Sequence, residues 1–370
     1  MKKKVLIINE KLEYGGSEFV ATRLQQALDS EKFEFTYCVR GNEKGPIEDD
    51  ILKTGVRVIH QPDDKLSYLK SYKFYLDLFK KEHFDIVHSH QLFFSGIVLA
   101  AAKKRNVKIR IAHSHFTQPL TSHISKFKFF LARFYRYFMR FILGVSATTI
   151  IGCSKESGEF LAGKKLFAKK GLVLNNGIDF ERYFFDYEKR QKIRKEFQIE
   201  NKCVLGHIGH YSYIKNQRFL IDIFKQFHLK NKNSVLLLVG DGEDKELLLE
   251  KVNKYGLEND VIFAGFRKDV PDLLSAMDVM VFPSLHEGFP LTLIEAQASK
   301  LPCVVSDTVT KDVELSNALS FVSLDGDTDK WCSEIENMVL INRNDIDNSA
   351  VIENFDIKNI AKKLEKIYLN

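Results

Sequence analysis

The chain has 370 residues, 45% of them hydrophobic, and a formal net charge of +6. A chain of this length is too long for a single hydrophobic core and suits two domains, each with a hydrophobic core of its own. It holds no apolar run long enough to span a bilayer. Its five cysteines are scattered without a CxxC pair, which argues against a zinc ribbon or a disulfide framework and for a reducing, cytoplasmic compartment.

The charge is divided unevenly along the chain. Residues 1–180 hold 30 Lys and Arg against 18 Asp and Glu, whereas residues 181–370 hold 25 against 31. Between Asp85 and Glu156 there is no carboxylate, but there are 11 Lys and Arg. The two halves are therefore expected to have different partners, and the basic half is expected to face an anionic surface.

In the first half, short apolar runs alternate with stretches of helical pattern. The predicted strands cover residues 5–8, 35–39, 56–59, 86–88, 107–112, 149–153 and 172–174; a turn at 14–18 and a helix at 19–28 follow the first. The apolar run after the N-terminal lysines is too short for a signal peptide and is interpreted as a buried strand. This alternation predicts βαβ units around a parallel sheet.

The same alternation restarts in the second half. The predicted strands cover residues 203–208, 235–239, 261–263, 279–282 and 303–305. The charged stretch 181–201 is interpreted as a linker, so the predicted domains are residues 1–182 and 183–354. Residues 355–370 form a predicted helix with an apolar stripe at Ile357, Ile360, Leu364 and Ile367.

Residues 286–295 follow a predicted strand and open a predicted helix. The segment reads HEGFPLTLIE, with Glu287 in a Gly/Pro turn and Glu295 one to two turns into the helix. Free N–H groups at a helix start attract an anion such as a diphosphate. One ligand lying there could place a sugar near Glu287 and a ribose near Glu295. An ordinary βα turn with two solvated acids is the alternative that spacing alone leaves open.

Further candidates follow other strands, and ligands of such sheets bind beyond the carboxyl ends of the strands. Gly16 follows the first strand, where glycine lets the backbone approach a phosphate closely. Lys215 and Asn216 follow the strand at 203–208, and Lys215 is a compact cation that could neutralise a diphosphate. A tight turn and a solvated loop lysine are the plainer interpretations.

Four histidines follow two of the predicted strands. His88 and His90 close one, and His113 and His115 close another. Histidine there can hydrogen-bond a sugar hydroxyl or stabilise charge on a transferring sugar; His113 and His115 are both candidates, and His115 is preferred. A zinc site is a second interpretation, although neither a cysteine nor an acidic ligand accompanies the histidines.

Residues 124–143 are predicted to form a basic, aromatic helix. At about 100° per residue, the cations share one face and the aromatic residues lie around the opposite side; the cations are Lys126, Arg133, Arg136 and Arg140, and the aromatic residues are Phe127, Phe130, Phe134, Tyr137, Phe138 and Phe141. This pattern is typical of a helix lying in an anionic membrane interface. Packing on the chain's own sheet is the alternative, and nucleic-acid binding has no recognised motif in its support.

The segment from Asp278 to Asp307 resembles the retaining glycosyltransferases of family 4, which carry two glutamates at this separation around a Gly-Phe/Leu-Pro turn. The resemblance covers nearly the whole chain and is greatest to bacterial capsule and exopolysaccharide enzymes. It implies the α/β fold class called GT-B, in which two doubly wound, Rossmann-like domains face each other across a cleft. It also implies that the helix at 355–370 crosses back to the first domain.

The resemblance assigns roles to individual residues. Glu287, Lys215, His113 and His115 would be catalytic. The donor would be bound by Gly16, His210, Lys215, Asn216, Gly240, Phe266, Arg267, Gly288, Phe289, Pro290, Leu291 and Glu295. Asn176 and Gly177 match an element near the hinge. The family usually has arginine, a fixed and permanently charged fork, where this chain has His210, which titrates near neutrality. Donor binding is therefore expected to be weaker or pH-dependent, or activity to be absent.

The resulting hypothesis is a retaining glycosyltransferase that uses no metal or other cofactor. It would move a sugar from a nucleotide diphosphate, with uridine diphosphate expected, to a membrane-linked glycan, at the inner face of the cell membrane. The rival hypotheses are a nucleotide-sugar epimerase of the same fold and an inactive, membrane-associated partner of another glycosyltransferase. The substituted arginine is the only support for the inactive partner.

Overall fold

The computed structural model describes residues 2–13, 16–62, 67–115, 126–325 and 327–370, except for the side chains of residues 16–19 and 126–131. The chain divides into two compact units. The first contains Met1–Gly177 together with Ile357–Asn370, and the second contains Ile178–Asp356. The break after Gly177 lies before the predicted boundary at 182, because Ile178 already bridges to Asp356 within the second unit.

The first unit is built on a parallel sheet. Its described strands are β1 (Lys3–Ile8), β2 (Phe33–Arg40), β3 (Arg57–Gln61), β4 (Ile86–Ser89), β5 (Ile109–Ser114), β6 (Thr149–Gly152) and β7 (Gly171–Val173). They lie in the order β3-β2-β1-β4-β5-β6-β7. The helices are α1 (Gly16–Gln26), α2 (Glu48–Lys53), α3 (Tyr68–Lys81), α4 (Ser95–Lys104), α5 (Lys126–Ser146), α6 (Lys155–Ala162), α7 (Lys164–Lys170) and the C-terminal α16 (Ile357–Leu369).

The second unit repeats this plan. Its described strands are β8 (Cys203–Ile208), β9 (Ser234–Val239), β10 (Val261–Gly265), β11 (Val279–Phe282), β12 (Cys303–Ser306) and β13 (Leu319–Val322), in the order β10-β9-β8-β11-β12-β13. The helices are α8 (Phe180–Tyr183), α9 (Tyr187–Glu196), α10 (Gln217–Lys230), α11 (Lys245–Tyr255), α12 (Val270–Ala276), α13 (Leu291–Ala298), α14 (Thr328–Val339) and α15 (Ser349–Phe355).

Both faces of each sheet are buried. In β1, Val5 and Ile7 pack into one apolar cluster while Leu6 and Ile8 pack into another on the opposite face. A strand covered on both faces needs apolar side chains at every position, so its sequence is a continuous apolar run. This is why the predicted strands 5–8 and 235–239 correspond to strands in the structure.

One strand of the second unit was missed, and one expectation about this unit was wrong. Strand β13 was not predicted, because only a short 3₁₀ turn, Lys311–Val313, separates it from β12 and the alternation with helices ends there. The stretch 181–201 is not a linker. It contains α9, in which Ile193 is fully buried and Arg194 is nearly so.

Asp278 explains why such a charged segment folds onto the second unit. Arg190 and Arg194 reach its carboxylate at 2.5 and 2.6 Å, and the backbone N–H of Val204 donates to it at 2.8 Å. A carboxylate that accepts several charge-assisted hydrogen bonds can be removed from water. The charges of α9 are thus partly internal pairs rather than a solvated surface.

The C-terminal helix α16 belongs to the first unit, where Ile360 and Leu364 are buried. Its Tyr368 is fully buried and packs edge-on against Phe33 at a centroid distance of 5.4 Å. Lys3 Nζ donates to the carbonyl of Tyr368 at 2.8 Å, which ties the helix end to β1. Among the described residues, no helix combines the length and the apolar content that a bilayer crossing needs.

In both sheets the strand order reverses beside the first strand of the unit. The reversal lies between β1 and β4 in the first sheet and between β8 and β11 in the second. Loops that leave such neighbouring strands diverge to opposite faces and open a crevice at the carboxyl edge. The residues after β8 and β11, and after β1 and β4, are therefore where ligand-binding groups should lie.

Candidate functional site

The loops after β8 and β11 are tied together at the reversal point of the second sheet. The N–H of Leu285 donates to the carbonyl of Ile214 at 2.8 Å, and Asn216 Nδ2 donates to the carbonyl of Pro283 at 3.1 Å. Asn216 adopts the left-handed conformation with φ of 56°, which asparagine tolerates better than most residues. This bend ends the loop just after Lys215 and starts α10.

The same loops bring Lys215 and Glu287 together. Lys215 Nζ lies 2.7 Å from Glu287 Oε1 and 5.1 Å from the centre of the Phe282 ring. The two side chains are 22% and 11% exposed, so the pair is largely shielded from water. A lysine that is held by one carboxylate beside a crevice can also hydrogen-bond an anion that enters the crevice.

Helix α13 starts beside this pair. Leu291 is its first residue, and Pro290, which precedes it, has no side-chain acceptor to cap the first N–H groups. The N–H of Leu293 donates to the carbonyl of Pro290 at 3.1 Å. The first N–H groups of the helix form the positive end of its dipole. Glu295 lies further along α13, and its Oε1 accepts a hydrogen bond from the Tyr183 hydroxyl at 2.6 Å.

Gly240, after β9, packs closely against the loop that follows β8. Its φ is +139°, and a Cβ atom there would lie 2.0 Å from the carbonyl oxygen of Gly209. Any other residue would push the loop of Lys215 away from β9. Gly240 is therefore required by the backbone and places its loop beside the candidate site.

Two other candidates in the second unit have partners of their own. His210 is exposed, and its Nε2 lies 2.6 Å from Glu243 Oε2. Arg267 is held by Glu196 and Asp269, each at 2.6 Å, and these acidic partners raise its pKa.

Two aromatic candidates differ from each other. Phe289 stacks on Phe355 at 5.4 Å and packs against the core, so it anchors the loop and does not face outward as a ligand contact would. Phe266, next to Arg267 and beyond the edge strand β10, is exposed.

In the first unit the four histidines form one cluster. His88 Nε2 lies 3.2 Å from His113 Nδ1, and His90 Nδ1 lies 2.8 Å from His115 Nε2. The outer nitrogens also have partners: His88 Nδ1 bonds the Tyr368 hydroxyl at 2.7 Å. His115 Nδ1 lies 2.9 Å from Asn176 Oδ1. The strand ends thus place all four rings side by side, as their positions after the strands predicted.

Burial keeps this cluster uncharged. It lowers the pKa of His88 to about 3 and that of His115 to about 4, and it lowers those of His90 and His113 well below the ordinary value of 6.5. Neutral imidazole offers one lone pair and one N–H. The rings are thus available to bind hydroxyl groups or to ligate a metal ion.

One ring nitrogen of the cluster, His113 Nε2, is buried and has no hydrogen-bond partner among the described residues. The same is true of two side chains at the ends of β1 and β4: both ends of the Asn9 amide and Gln91 Oε1. Gly16 begins α1 at the same edge of the sheet. The preceding Gly15 lies outside the described residues.

Helix α5 turns four aromatic residues outward, whereas Tyr135 packs against Phe93. Phe134, Tyr137, Phe138 and Phe141 are 66, 75, 52 and 66% exposed, while Met139 and Leu143 face the core. The expectation for Arg140 was wrong, since its Nε and Nη2 donate to the carbonyls of Leu161 and Phe160 at 3.3 and 2.6 Å. Arg133 is exposed and Arg136 partly so. The side chains of Lys126, Phe127 and Phe130 lie outside the described part of α5.

Two residues of these sites gave no signal in the sequence. Tyr183 lies in the stretch read as a linker, yet its hydroxyl holds Glu295. Tyr368 lies between apolar positions of the last helix, and its contact with His88 spans nearly the whole chain. Only the folded arrangement reveals contacts between residues so far apart in sequence.

Two family models match the chain. Residues 14–182 match the model described as Glycosyltransferase Family 4, and residues 202–340 match the model described as Glycosyl transferases group 1. Together with two Rossmann-like parallel sheets, these matches define a glycosyltransferase of the GT-B fold class. The chain belongs to glycosyltransferase family 4, as its motifs predicted.

Relatives that match over most of the chain agree with this assignment. A capsular polysaccharide biosynthesis glycosyltransferase of Staphylococcus aureus is 27% identical over 99% of both chains. An Escherichia coli enzyme named UDP-Gal:alpha-D-GlcNAc-diphosphoundecaprenol alpha-1,3-galactosyltransferase is 29% identical over 79% of this chain and 76% of its own. The solved structure of HepE from Anabaena in complex with UDP superposes with a TM-score of 0.76 over 99% of both chains, at 19% identity. This last likeness concerns the fold.

Proposed function

We propose that this glycosyltransferase moves a hexose or N-acetylhexosamine from uridine diphosphate to a hydroxyl of a membrane-linked glycan, in the synthesis of a capsule or exopolysaccharide. The observation that carries the donor assignment is the shielded pair of Lys215 and Glu287 beside the uncapped start of α13. The S. aureus relative, a capsular polysaccharide enzyme by name, supports the pathway, and the name of the E. coli relative supports the uridine nucleotide and the lipid-linked acceptor. They favour neither an epimerase nor an inactive subunit.

Charge stabilisation on the departing diphosphate is the chemical core of the proposal. As the bond between the sugar and the phosphate breaks, negative charge accumulates on the phosphate oxygens. Lys215 and the first N–H groups of α13 are positioned by their own loops to meet this charge, and Lys215 would share its ammonium group between Glu287 and the phosphate oxygens. We propose that no metal ion is needed on the diphosphate, because these groups supply the positive charge.

The two glutamates would bind different parts of the donor. Glu295, oriented by the Tyr183 hydroxyl, would accept hydrogen bonds from the ribose hydroxyls. Glu287, beside Lys215, would orient sugar hydroxyls and balance positive charge on the anomeric carbon. His113 or His115 would be the first unit's contribution to sugar binding.

Retention of configuration is what the resemblance to the family implies. No carboxylate stands out as a covalent nucleophile, which fits an attack of the acceptor hydroxyl from the face that the diphosphate leaves. Its proton would pass to the departing phosphate oxygen, and the new bond would keep the anomeric configuration. The side chains would act by binding, orienting and excluding water.

We also propose that α5 docks the first unit on an anionic membrane. Four exposed aromatic side chains form one stripe, and Arg133 and Arg136 flank it. Aromatic rings insert at the headgroup level, and flanking cations bind anionic lipids. Peripheral attachment there would bring the enzyme to an acceptor that cannot leave the bilayer.

Product analysis tests the transfer. The purified chain would be incubated with UDP-sugars and a short lipid-linked acceptor, with a chelator present, and the product examined by NMR. We expect UDP release that depends on acceptor and a new glycosidic bond with the configuration of the donor. A changed sugar without acceptor would identify an epimerase, and an inverted linkage would refute retention. No turnover with any donor and acceptor would favour an inactive partner.

A further inference from the structure

The first unit contains a group of histidines whose arrangement exceeds what sugar binding requires. Each of His88, His90 and His113 offers a ring nitrogen, and these nitrogens all lie within 4.8 Å of one another in the described part of the chain. We propose that these residues, here called the histidine triad, bind one zinc ion or a similar divalent transition metal.

The distances suit a shared ion. Zinc bonds histidine nitrogen at about 2.0–2.1 Å, so two nitrogens on one tetrahedral zinc lie roughly 3.3 Å apart. His88 Nε2 and His113 Nδ1 are 3.2 Å apart. All three rings are buried, and the strand ends that carry them pair within one sheet. Small side-chain rotations, without movement of the backbone, would close the nitrogens on an ion.

Hydrogen-bonding partners fix which nitrogen of His90 is protonated. Asn176 Oδ1 accepts from Nδ1–H of His115, whose Nε2 must then carry a lone pair. That lone pair accepts from Nδ1–H of His90. Nε2 of His90 is consequently unprotonated, which is the state that a metal ligand requires.

Tyr368 has the corresponding role for His88. When Nδ1–H of His88 donates to the Tyr368 hydroxyl, Nε2 on the inner side carries a lone pair. Metal-ligating histidines almost always have an oxygen partner on the outer nitrogen, because it fixes the tautomer and the ring orientation. The C-terminal helix would thus support the site through one hydroxyl.

Hydrogen bonds among the described residues do not satisfy every polar atom of the triad. His113 Nε2 is buried and has no partner among the described residues, which is costly for a polar atom. With His88 Nε2 unprotonated, the bond between His88 and His113 needs the proton on His113 Nδ1; an ion held by both nitrogens would replace that proton and leave His113 neutral, with its proton on Nε2. Three neutral histidines with an open fourth position are a ligand set that zinc accepts.

This inference is independent of the proposed sugar transfer, in which no ion contacts the diphosphate. A metal on the triad would occupy His113, whereas His115 keeps its bonds to His90 and Asn176. Binding can be measured without donor or acceptor. A chain that transfers sugar but binds no zinc would refute this inference alone, and a chain that binds zinc but transfers nothing would refute only the transfer.

Calorimetric titration of the chelator-treated full chain with zinc chloride tests the site. We expect one ion per chain, and a loss of affinity of at least ~100-fold when His88 and His113 are both changed to Gln. Tyr368→Phe should weaken binding by ~10-fold, as loss of an outer-nitrogen partner does. His83→Gln, which changes an exposed histidine outside the triad, is the matched control and should bind as the wild type does.

Cobalt absorption provides a second readout that does not depend on the double variant being folded. Cobalt(II) should give the intense visible bands of a tetrahedral, nitrogen-ligated ion in the wild type and in His83→Gln, and weaker bands at equal cobalt in Tyr368→Phe. The proposal is overturned if the wild type shows no such bands, if zinc binds equally to the wild type and the double variant, or if His83→Gln abolishes the binding.

Discussion

Lys215 Nζ donates to Glu287 Oε1 at 2.7 Å, across the point where the second sheet reverses its strand order. The contact joins the loop after β8 to the loop after β11 next to the uncapped end of α13. Both side chains are mostly shielded from water, so an ion pair here is stronger than one on the surface. Lys215 is therefore held by the carboxylate that is assigned to the sugar, and an entering diphosphate would share its ammonium group.

Replacing Glu295 should remove most of the turnover. Glu295→Ala deletes the carboxylate assigned to the ribose, and a lost hydrogen bond to a charged group costs about 1.5–3 kcal/mol, or roughly 10- to 100-fold. We expect kcat/KM to fall by that factor. Tyr183→Phe, which keeps the carboxylate but frees it from its 2.6 Å hydrogen bond, should have a smaller effect. Glu250→Ala, on α11, is the control, and a fully active Glu295→Ala would contradict the assignment.

His210→Arg should tighten UDP binding. The position follows β8 near Lys215, and arginine supplies a permanent charge and a planar fork that can bind a phosphate through two hydrogen bonds. Calorimetry should show a lower Kd for UDP in the variant than in the wild type. If both proteins bind UDP equally, His210 does not contact the diphosphate.

The aromatic stripe of α5 should determine membrane binding. Changing Phe134, Phe138 and Phe141 together to Ser removes exposed apolar area without touching the core-facing Met139 and Leu143. In flotation with phosphatidylglycerol vesicles, the wild type should rise with the lipid and the variant should stay below.

Control variants and a second lipid distinguish the contribution of the aromatic stripe from that of other exposed apolar residues and from that of the arginines. Tyr187→Ser and Leu340→Ser remove exposed apolar side chains from the second unit and should float as the wild type does. Neutral phosphatidylcholine vesicles should bind less, since they lack partners for Arg133 and Arg136. A wild type that does not float with anionic vesicles would refute membrane docking.

His60 should make stability depend on pH. Its Nε2 lies 3.0 Å from the buried Glu48, whose hydrogen bond raises the pKa of His60 above the ordinary 6.5. The folded state therefore holds the proton more tightly than the unfolded state. The resulting stabilisation is complete below pH 6.5 and is lost as the pH rises through the raised pKa.

Urea unfolding of the wild type and of His60→Gln measures this contribution. The variant should lose more stability at pH about 5.5 than at about 8.5, by roughly 1 kcal/mol or less, because the pair is partly exposed. His83→Gln serves as the exposed control. An equal loss at both pH values would show that the proton on His60 contributes nothing.

Much of the fold is predictable because its strands are buried on both faces. Runs such as Val5 to Ile8 are then apolar at every position, and their alternation with helices is visible in the sequence. Strand β13 breaks this rule, since no long helix precedes it. The sequence of α9 does not show that this helix packs on the second unit, because its arginines pair with Asp278, which lies far away in sequence.

The site was predictable only where it follows strand ends. Lys215 and Glu287 lie close together because they follow neighbouring strands, and His88 and His113 lie close together because they stand at the ends of neighbouring strands. Position in the sequence could not show that Phe289 packs inward or that Arg140 bonds carbonyls of α6, because a local pattern does not specify which neighbour a side chain meets. The same limit hid the contact of Tyr368 with the histidines.

The most direct test of the central claim compares UDP with uridine by calorimetry in the wild type and in Lys215→Met. If Lys215 binds the diphosphate, the variant should lose at least ~10-fold in affinity for UDP, as expected for a charge-assisted contact, and little for uridine. Lys251→Met, which breaks a pair with Asp222 elsewhere in the unit, should change neither. Equal losses for UDP and uridine, or unchanged UDP binding in Lys215→Met, would contradict the account.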